Sequence, residues 1–309
     1  MKNILITTSS FDLANFPQQD ELSAKGFQVI LNPYGKKMTE QQVTELIDET
    51  VVAMIAGTEP LTAAVLSKAS ALKVIVRCGI GMDNVDMKAA ADLGIKVNNT
   101  PDGPTRSVAE LTLAHILSLL RRVTESDRSI RNNKWQPLMG SLLYGQTVGV
   151  VGFGRIGKMV TALLSAFGAR ILVYDVLPVM GAEGVEYATL DRIFSESDII
   201  TLHVPYMEEN HHLVNAAALA KMKPSAFLVN ISRGGLVDDH ALYEALTGKK
   251  IAGAALDCFE KEPYDGLLAT LDNVQMSAHM GSYAAQARVK MEQDSCKVLL
   301  EELSAANII

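Results

Sequence analysis

Residues 147–175 read TVGVVGFGRIGKMVTALLSAFGARILVYD. A short apolar run ends at a glycine set, Gly152, Gly154 and Gly157. A helical stretch follows, then a second apolar run that closes on an acid, Asp175, 23 positions after Gly152. Strand, glycine turn, helix, strand and acid in this order form one βαβ unit of the kind that holds a dinucleotide. Gly152 allows the tight turn, Gly154 lets the backbone approach a pyrophosphate, and Gly157 lets the helix pack on the strand. The amides of Arg155 and Ile156 are expected to face the pyrophosphate at the helix N-terminus. Asp175 is expected to accept hydrogen bonds from ribose hydroxyls. Its carboxylate repels a 2′-phosphate, which predicts NAD rather than NADP.

On both sides of this unit, short apolar runs alternate with helical patterns. Before it, residues 3–7, 27–31, 51–56 and 73–77 read as strands, with helical stretches at 39–49 and 61–70. After it, 198–204, 226–232 and 251–257 read as strands. Continuous apolar strands between helices imply parallel sheets covered on both faces. The stretch NNTPDGPTRS (98–107) is the linker candidate. A capping box, Ser107 with Glu110, is expected to open a long helix after it. That helix is apolar on nearly every side, which predicts burial between domains or subunits. The C-terminal stretch 284–303 is amphipathic. The pattern predicts an α/β chain of two domains joined near residue 100.

Composition narrows the function. A chain of 309 residues suits about two domains of roughly 100–200 residues each. The net charge of −7, with basic residues scattered, gives no footprint for nucleic acid or an anionic membrane. No apolar run reaches about 18 residues, so no membrane span is expected. The three cysteines, Cys78, Cys258 and Cys296, lack any framework spacing and suit a reducing compartment. With no secretory signal in the opening MKNILITTSS, the expectation is a cytoplasmic protein. His211 and His212 lie in the polar stretch EENHHLVN, and no third ligand follows at a suitable spacing. No metal site is therefore expected. His115, on the apolar helix, reads as a packed residue.

Moving a hydride to or from a hydroxylated carbon requires a group that carries the hydroxyl proton. It also requires a cation that holds the acid and polarises the carbonyl. Arg233 in NISRGG, Glu262 in FEKEP and His279 in SAHMGS each follow an expected strand end, where ligands of doubly wound sheets bind.

Six segments extend the pattern: RCGIGMDNVD (77–86), NTPDGPTRSVAELTLAHIL (99–117), VGVVGFGRIGK (148–158), NISRGGLVDDHALYEAL (230–246), GAALDCFEKEP (253–263) and HMGS (279–282). In these, nearly end to end, the chain resembles the D-isomer-specific 2-hydroxyacid dehydrogenases, and most of all their D-3-phosphoglycerate dehydrogenase branch in a short form. The resemblance implies two doubly wound parallel-sheet domains with a cleft between them. One is a flavodoxin-like substrate domain, 1–98 with 283–309, and the other a Rossmann NAD domain, 99–282. It implies a homodimer through the NAD domain, which would account for the apolar helix. It makes His279 the acid/base, Glu262 the partner of its other ring nitrogen, and Arg233 the grip on the substrate carboxylate and keto oxygen. A carboxylate beside an imidazole favours the protonated ring. It sets Val204 and Asp257 beside the nicotinamide, and Ile80, Ile231, Ser232, Gly281 and Ser282 along the same cofactor. Backbone amides of Cys78, Gly79 and Ile80 are expected to meet the substrate carboxylate.

The substrate is less legible. Arg77 matches one phosphate-binding position of the phosphoglycerate-specific members. Gly57 and Thr58 stand where many of those members carry an arginine, and QPLMG after Trp135 has only Lys134 nearby. A dianionic phosphate wants more positive charge than that. The substrate readings are 3-phosphoglycerate and its oxo acid, or an unphosphorylated acid such as hydroxypyruvate or glyoxylate. A non-enzymatic NAD(H)-sensing scaffold, the corepressor-like reading, is the alternative from another class.

Overall fold

The computed structural model describes residues 2–177 and 184–309. The chain divides into two compact units: Met1–Pro104 with Ser282–Ile309, and Thr105–Gly281.

The first unit carries β1 (Lys2–Ile6), β2 (Phe27–Leu31), β3 (Val51–Ala56), β4 (Val74–Arg77) and β5 (Lys96–Asn99), in the order β2-β1-β3-β4-β5. Every pairing is parallel. β3 and β4 are buried at every residue, which is why they read as unbroken apolar runs. The C-terminal helix Ala285–Ala305 lays Met291, Cys296, Leu299 and Leu303 against Ile4, Ile6, Val74 and Val76 of this sheet. The end of the chain thus completes the core of its beginning.

The second unit carries β6 (Thr147–Val151), β7 (Arg170–Tyr174), β8 (Val185–Tyr187), β9 (Ile199–Leu202), β10 (Phe227–Asn230), β11 (Gly253–Leu256) and β12 (Val274–Met276). Their order is β12-β11-β10-β9-β6-β7-β8, again parallel throughout. The winding reverses between β6 and β9, the position at which open α/β sheets bind ligands. β8, polar and three residues long, was not legible as a strand.

The segment 98–107 holds the division between the two units, at Pro104, but it is not an irregular loop. β5 ends at Asn99 and a helix runs from Asp102 to Arg121. Pro104 falls in its first turn, where a missing N–H breaks no intrahelical bond. The expected capping box does not form. The Ser107 hydroxyl donates to the Gly281 carbonyl at 2.6 Å, and Glu110 pairs with Arg106 at 2.7 Å. The apolar character of this helix is largely absorbed within its own unit. Val108, Ala109, Ile116, Leu119 and Leu120 pack with Val148, Val150 and Ile171.

Candidate active site

The glycine turn after β6 is built by contact, residue by residue. Gly152 has φ 96°, and a Cβ there would lie 2.6 Å from the His203 carbonyl oxygen and 2.9 Å from Val204 Cγ1. A Cβ on Gly157 would lie 2.0 Å from the Gly152 oxygen, so only glycine lets the helix Arg155–Ala166 close on the strand. Gly154 caps that helix with no side chain, and a Cβ there would meet no atom within 4 Å. A helix N-terminus capped by a bare glycine suits a pyrophosphate. The Asp175 carboxylate receives the Phe153 amide at 2.6 Å and the Leu177 amide at 2.9 Å. These bonds fix the acid at the end of β7, beside the turn. The residues present therefore fit a dinucleotide.

Three further loops leave the same strand ends. After β12, His279 has φ 49°, and its Nδ1 lies 3.0 Å from each oxygen of Glu262. The Phe259 amide donates to Glu262 Oε1 at 3.1 Å. The imidazole is thus held through one nitrogen, which leaves Nε2 for chemistry. Cys258 Sγ also lies within 4.8 Å of ligand atoms of Glu262 and His279.

Asp257 is fully buried, and its role is visible in its bonds. Oδ1 accepts the Ser277 hydroxyl at 2.6 Å and the Met280 amide at 2.9 Å, and Oδ2 accepts the Gly281 amide at 2.8 Å. The His279 amide donates to the Asp257 carbonyl at 2.8 Å. Asp257 therefore shapes the loop that carries His279. Ser277 also meets His115 Nε2 at 3.0 Å, and burial pushes the His115 imidazole below its ordinary value. His115 is a half-buried link in this chain of contacts.

Arg233 follows β10 in extended conformation and donates to the Ser232 carbonyl at 2.8 Å. Asn230 was missed in the sequence. Fully buried, it donates to the Arg233 carbonyl at 2.8 Å and accepts the Ser232 amide at 3.1 Å. The signal available was a lone amide closing an apolar strand directly before the arginine. The Ser232 hydroxyl donates to the Leu202 carbonyl at 2.6 Å, and Ile231 is buried against Gly281. A Cβ on Gly234 would lie 1.9 Å from the Phe259 carbonyl carbon. The loop of Arg233 and the loop of Glu262 are therefore in backbone contact.

Ile80 and Ser282 belong to the first unit, as do Arg77, Cys78 and Gly79. Two of the three amides expected to meet a substrate carboxylate are already engaged. The Cys78 amide donates to the Ala56 carbonyl at 2.9 Å, and the Gly79 amide to the Thr100 hydroxyl at 2.8 Å. Arg77 is 7% exposed, and its guanidinium donates to the Cys78 carbonyl. A Cβ on Gly79, φ 143°, would lie 2.5 Å from Arg77 Nη1. At the end of β3, Glu59 is 1% exposed, accepts the Gly57 amide at 2.9 Å and bonds the Thr7 hydroxyl. Glu260, 48 residues on, meets His212 Nε2 at 2.6 Å, a partner that the spacing along the chain did not show. No helix among the described residues is long and apolar enough to cross a membrane.

Comparison with known proteins agrees with this geometry. Residues 113–281 match the family model for the D-isomer specific 2-hydroxyacid dehydrogenase, NAD binding domain. The hydroxypyruvate reductase of Thermotoga maritima is 36% identical over 295 residues, covering 92% of this chain and 96% of that protein. A D-3-phosphoglycerate dehydrogenase of Synechocystis is 34% identical over 322 residues, covering 98% of this chain but 58% of that longer protein. The crystal structure of the TT0316 protein of Thermus thermophilus superimposes with a TM-score of 0.89 at 33% identity, covering 98% of this chain and 97% of that one. A glycine turn at the switch point of a seven-stranded sheet, a histidine–glutamate pair and these end-to-end matches lead to one conclusion: the chain belongs to the D-isomer specific 2-hydroxyacid dehydrogenases, the NAD-dependent oxidoreductases of 2-hydroxy acids.

Proposed function

We propose that this enzyme interconverts a small, unphosphorylated D-2-hydroxy acid and its 2-oxo acid, with hydroxypyruvate and glyoxylate as the preferred oxo acids. The observation that carries the substrate class is Arg77. It is buried and donates to its own turn rather than standing at the surface. Next to it, the position where a phosphate-binding arginine would stand is Gly57, packed on the buried carboxylate of Glu59. A buried acid against Gly57 disfavours a dianionic group there. The full-length likeness to a hydroxypyruvate reductase points the same way.

When bound, NAD would supply or accept the hydride, and the helix N-terminus after Gly154 and Asp175 would hold it. The carboxylate of Asp175 favours NAD over NADP. In the reductive direction, protonated His279 gives its Nε2 proton to the oxygen that develops charge. Glu262, on Nδ1, fixes the ring, the orienting role a carboxylate plays beside a catalytic histidine. Arg233 holds the substrate carboxylate and polarises the keto oxygen.

The test is NADH oxidation across phosphohydroxypyruvate, hydroxypyruvate, glyoxylate, pyruvate and 2-oxoglutarate, with His279→Ala alongside. Hydroxypyruvate or glyoxylate is expected to give the highest kcat/KM. His279→Ala is expected to lose about 10²–10⁴-fold in kcat with NADH affinity unchanged. Turnover confined to phosphohydroxypyruvate overturns the substrate class, and substantial turnover by the alanine variant overturns the acid/base assignment.

A further inference from the structure

His211 and His212 follow a short 3-10 turn, Glu208–Asn210. Their rings stack with centroids 3.8 Å apart and planes 24° apart. The His212 backbone, at φ 52°, donates to the Gly235 carbonyl at 2.8 Å, which ties this turn to the glycines after Arg233. From another loop, Glu260 brings Oε1 to 2.6 Å from His212 Nε2. One nitrogen of each histidine and one oxygen of Glu260 lie within 4.8 Å of one another. An ion pair alone accounts for His212 and Glu260. It does not account for His211, whose ring lies on its neighbour.

We propose that His211, His212 and Glu260 form a surface site for a divalent transition-metal ion of the zinc, cobalt or nickel class. Two imidazoles and a carboxylate are the donor set these ions prefer. Zinc bonds such donors at about 2.0–2.2 Å, so small side-chain rotations close the triangle and leave positions for water. An outer shell is already present. Asp238 Oδ2 is 3.9 Å from His212 Nδ1, and the Tyr206 hydroxyl is 3.3 Å from His211 Nδ1. Carboxylates behind ligating histidines orient the ring and raise its basicity. The carboxylates of Glu260 and Asp238 make these surroundings acidic, which favours a cation. An ion here joins the turn at 206–212 to the loop that holds Glu262, since Glu260 is two residues from that carboxylate. Occupancy is expected to stiffen the catalytic pair without touching it.

The experiment uses tag-free, EDTA-treated full-length protein, titrated with Co²⁺ by visible absorption and with Zn²⁺ by calorimetry. Neither substrate nor NADH is present, so the result is independent of the proposed reaction. One ion per chain is expected, with a raised thermal midpoint. His211→Gln, His212→Gln and Glu260→Gln are each expected to weaken binding by roughly 10–100-fold. Their midpoints without metal, compared with wild type, verify folding. Absence of uptake at millimolar metal, or wild-type affinity in folded variants, overturns the proposal. So does an intense near-ultraviolet thiolate–cobalt absorption that disappears in Cys258→Ser. That result would put the ion on Cys258, Glu262 and His279 instead.

Discussion

A single buried side chain, His203, is coupled to the cofactor turn and to the pH dependence of the fold. It stands between Leu202 and Val204, where its carbonyl meets the Gly152 turn, and its Nε2 lies 2.9 Å from the Thr201 hydroxyl. Its Nδ1 is buried with no partner among the described residues. Burial alone pushes the imidazole down to about 3. Between that value and the ordinary histidine value, the unfolded chain binds a proton that the native chain refuses. Stability therefore falls as pH drops below about 6.5, by roughly 1.4 kcal/mol per unit for this group. Asp239, held up to about 6, acts with the opposite sign between its own two values, because the native state keeps the proton there. The wild-type curve mixes the two, and a variant separates them. His203→Gln keeps a donor toward Thr201 and removes the titration. Its thermal midpoint is expected to fall less than that of wild type between pH 7 and pH 5. Parallel curves would show that His203 does not contribute.

At the scale of elements, the site depends on two loops that touch through glycine. The Arg233 loop approaches Phe259 and Glu260 so closely that a methyl at Gly234 meets backbone atoms at 1.9–2.3 Å. Backbone cannot swing aside as a side chain tip does. Gly234→Ala is expected to cost about 1–3 kcal/mol from overpacking. It is also expected to lower kcat by about 10²-fold, the effect of a 1 Å misplacement of catalytic groups. A folded variant with wild-type kcat and midpoint would remove this contact from the account. Neither this contact nor the role of Asp257 was legible in the sequence, because both join segments that are distant along the chain. The strands were legible, since burial on both faces leaves continuous apolar runs such as VVAMIA at 51–56. The glycine turn and Asp175 were legible because their contacts are local to one βαβ unit. The helix start at Asp102 was not, because Ser107 and Glu110 offered a capping box that Gly281 and Arg106 broke up. Glu260 was invisible as a partner of His212 for the same reason as Asp257: it arrives from another strand end.

At the scale of the whole molecule, the surface of the second unit is apolar in one stretch. Trp135, Met139, Leu142 and Tyr144 are 87%, 89%, 67% and 76% exposed, and Val123 and Ile130 just before them exceed half. Singly exposed apolar residues need no explanation, but a concentration of large ones marks an interaction surface. The helix Asp102–Arg121, the first candidate for a subunit contact, sinks much of its apolar surface into its own core, so the exposed stretch after it is the better one. We propose that the same stretch on a second copy covers it, because two-fold dimers pair identical patches and a stable interface buries about 1,600 Å² in total. The resemblance read from the sequence implies a homodimer through the NAD domain, there with the apolar helix as its contact. Sedimentation of the wild-type chain is expected to give twice the 33.4 kDa mass of one chain. Trp135→Glu with Met139→Glu places like charges opposite each other across the two-fold and is expected to give the single-chain mass with NADH binding retained. A wild-type protein that sediments as one chain at micromolar concentration, or a double variant that still sediments as two, would rule this surface out as the dimer contact.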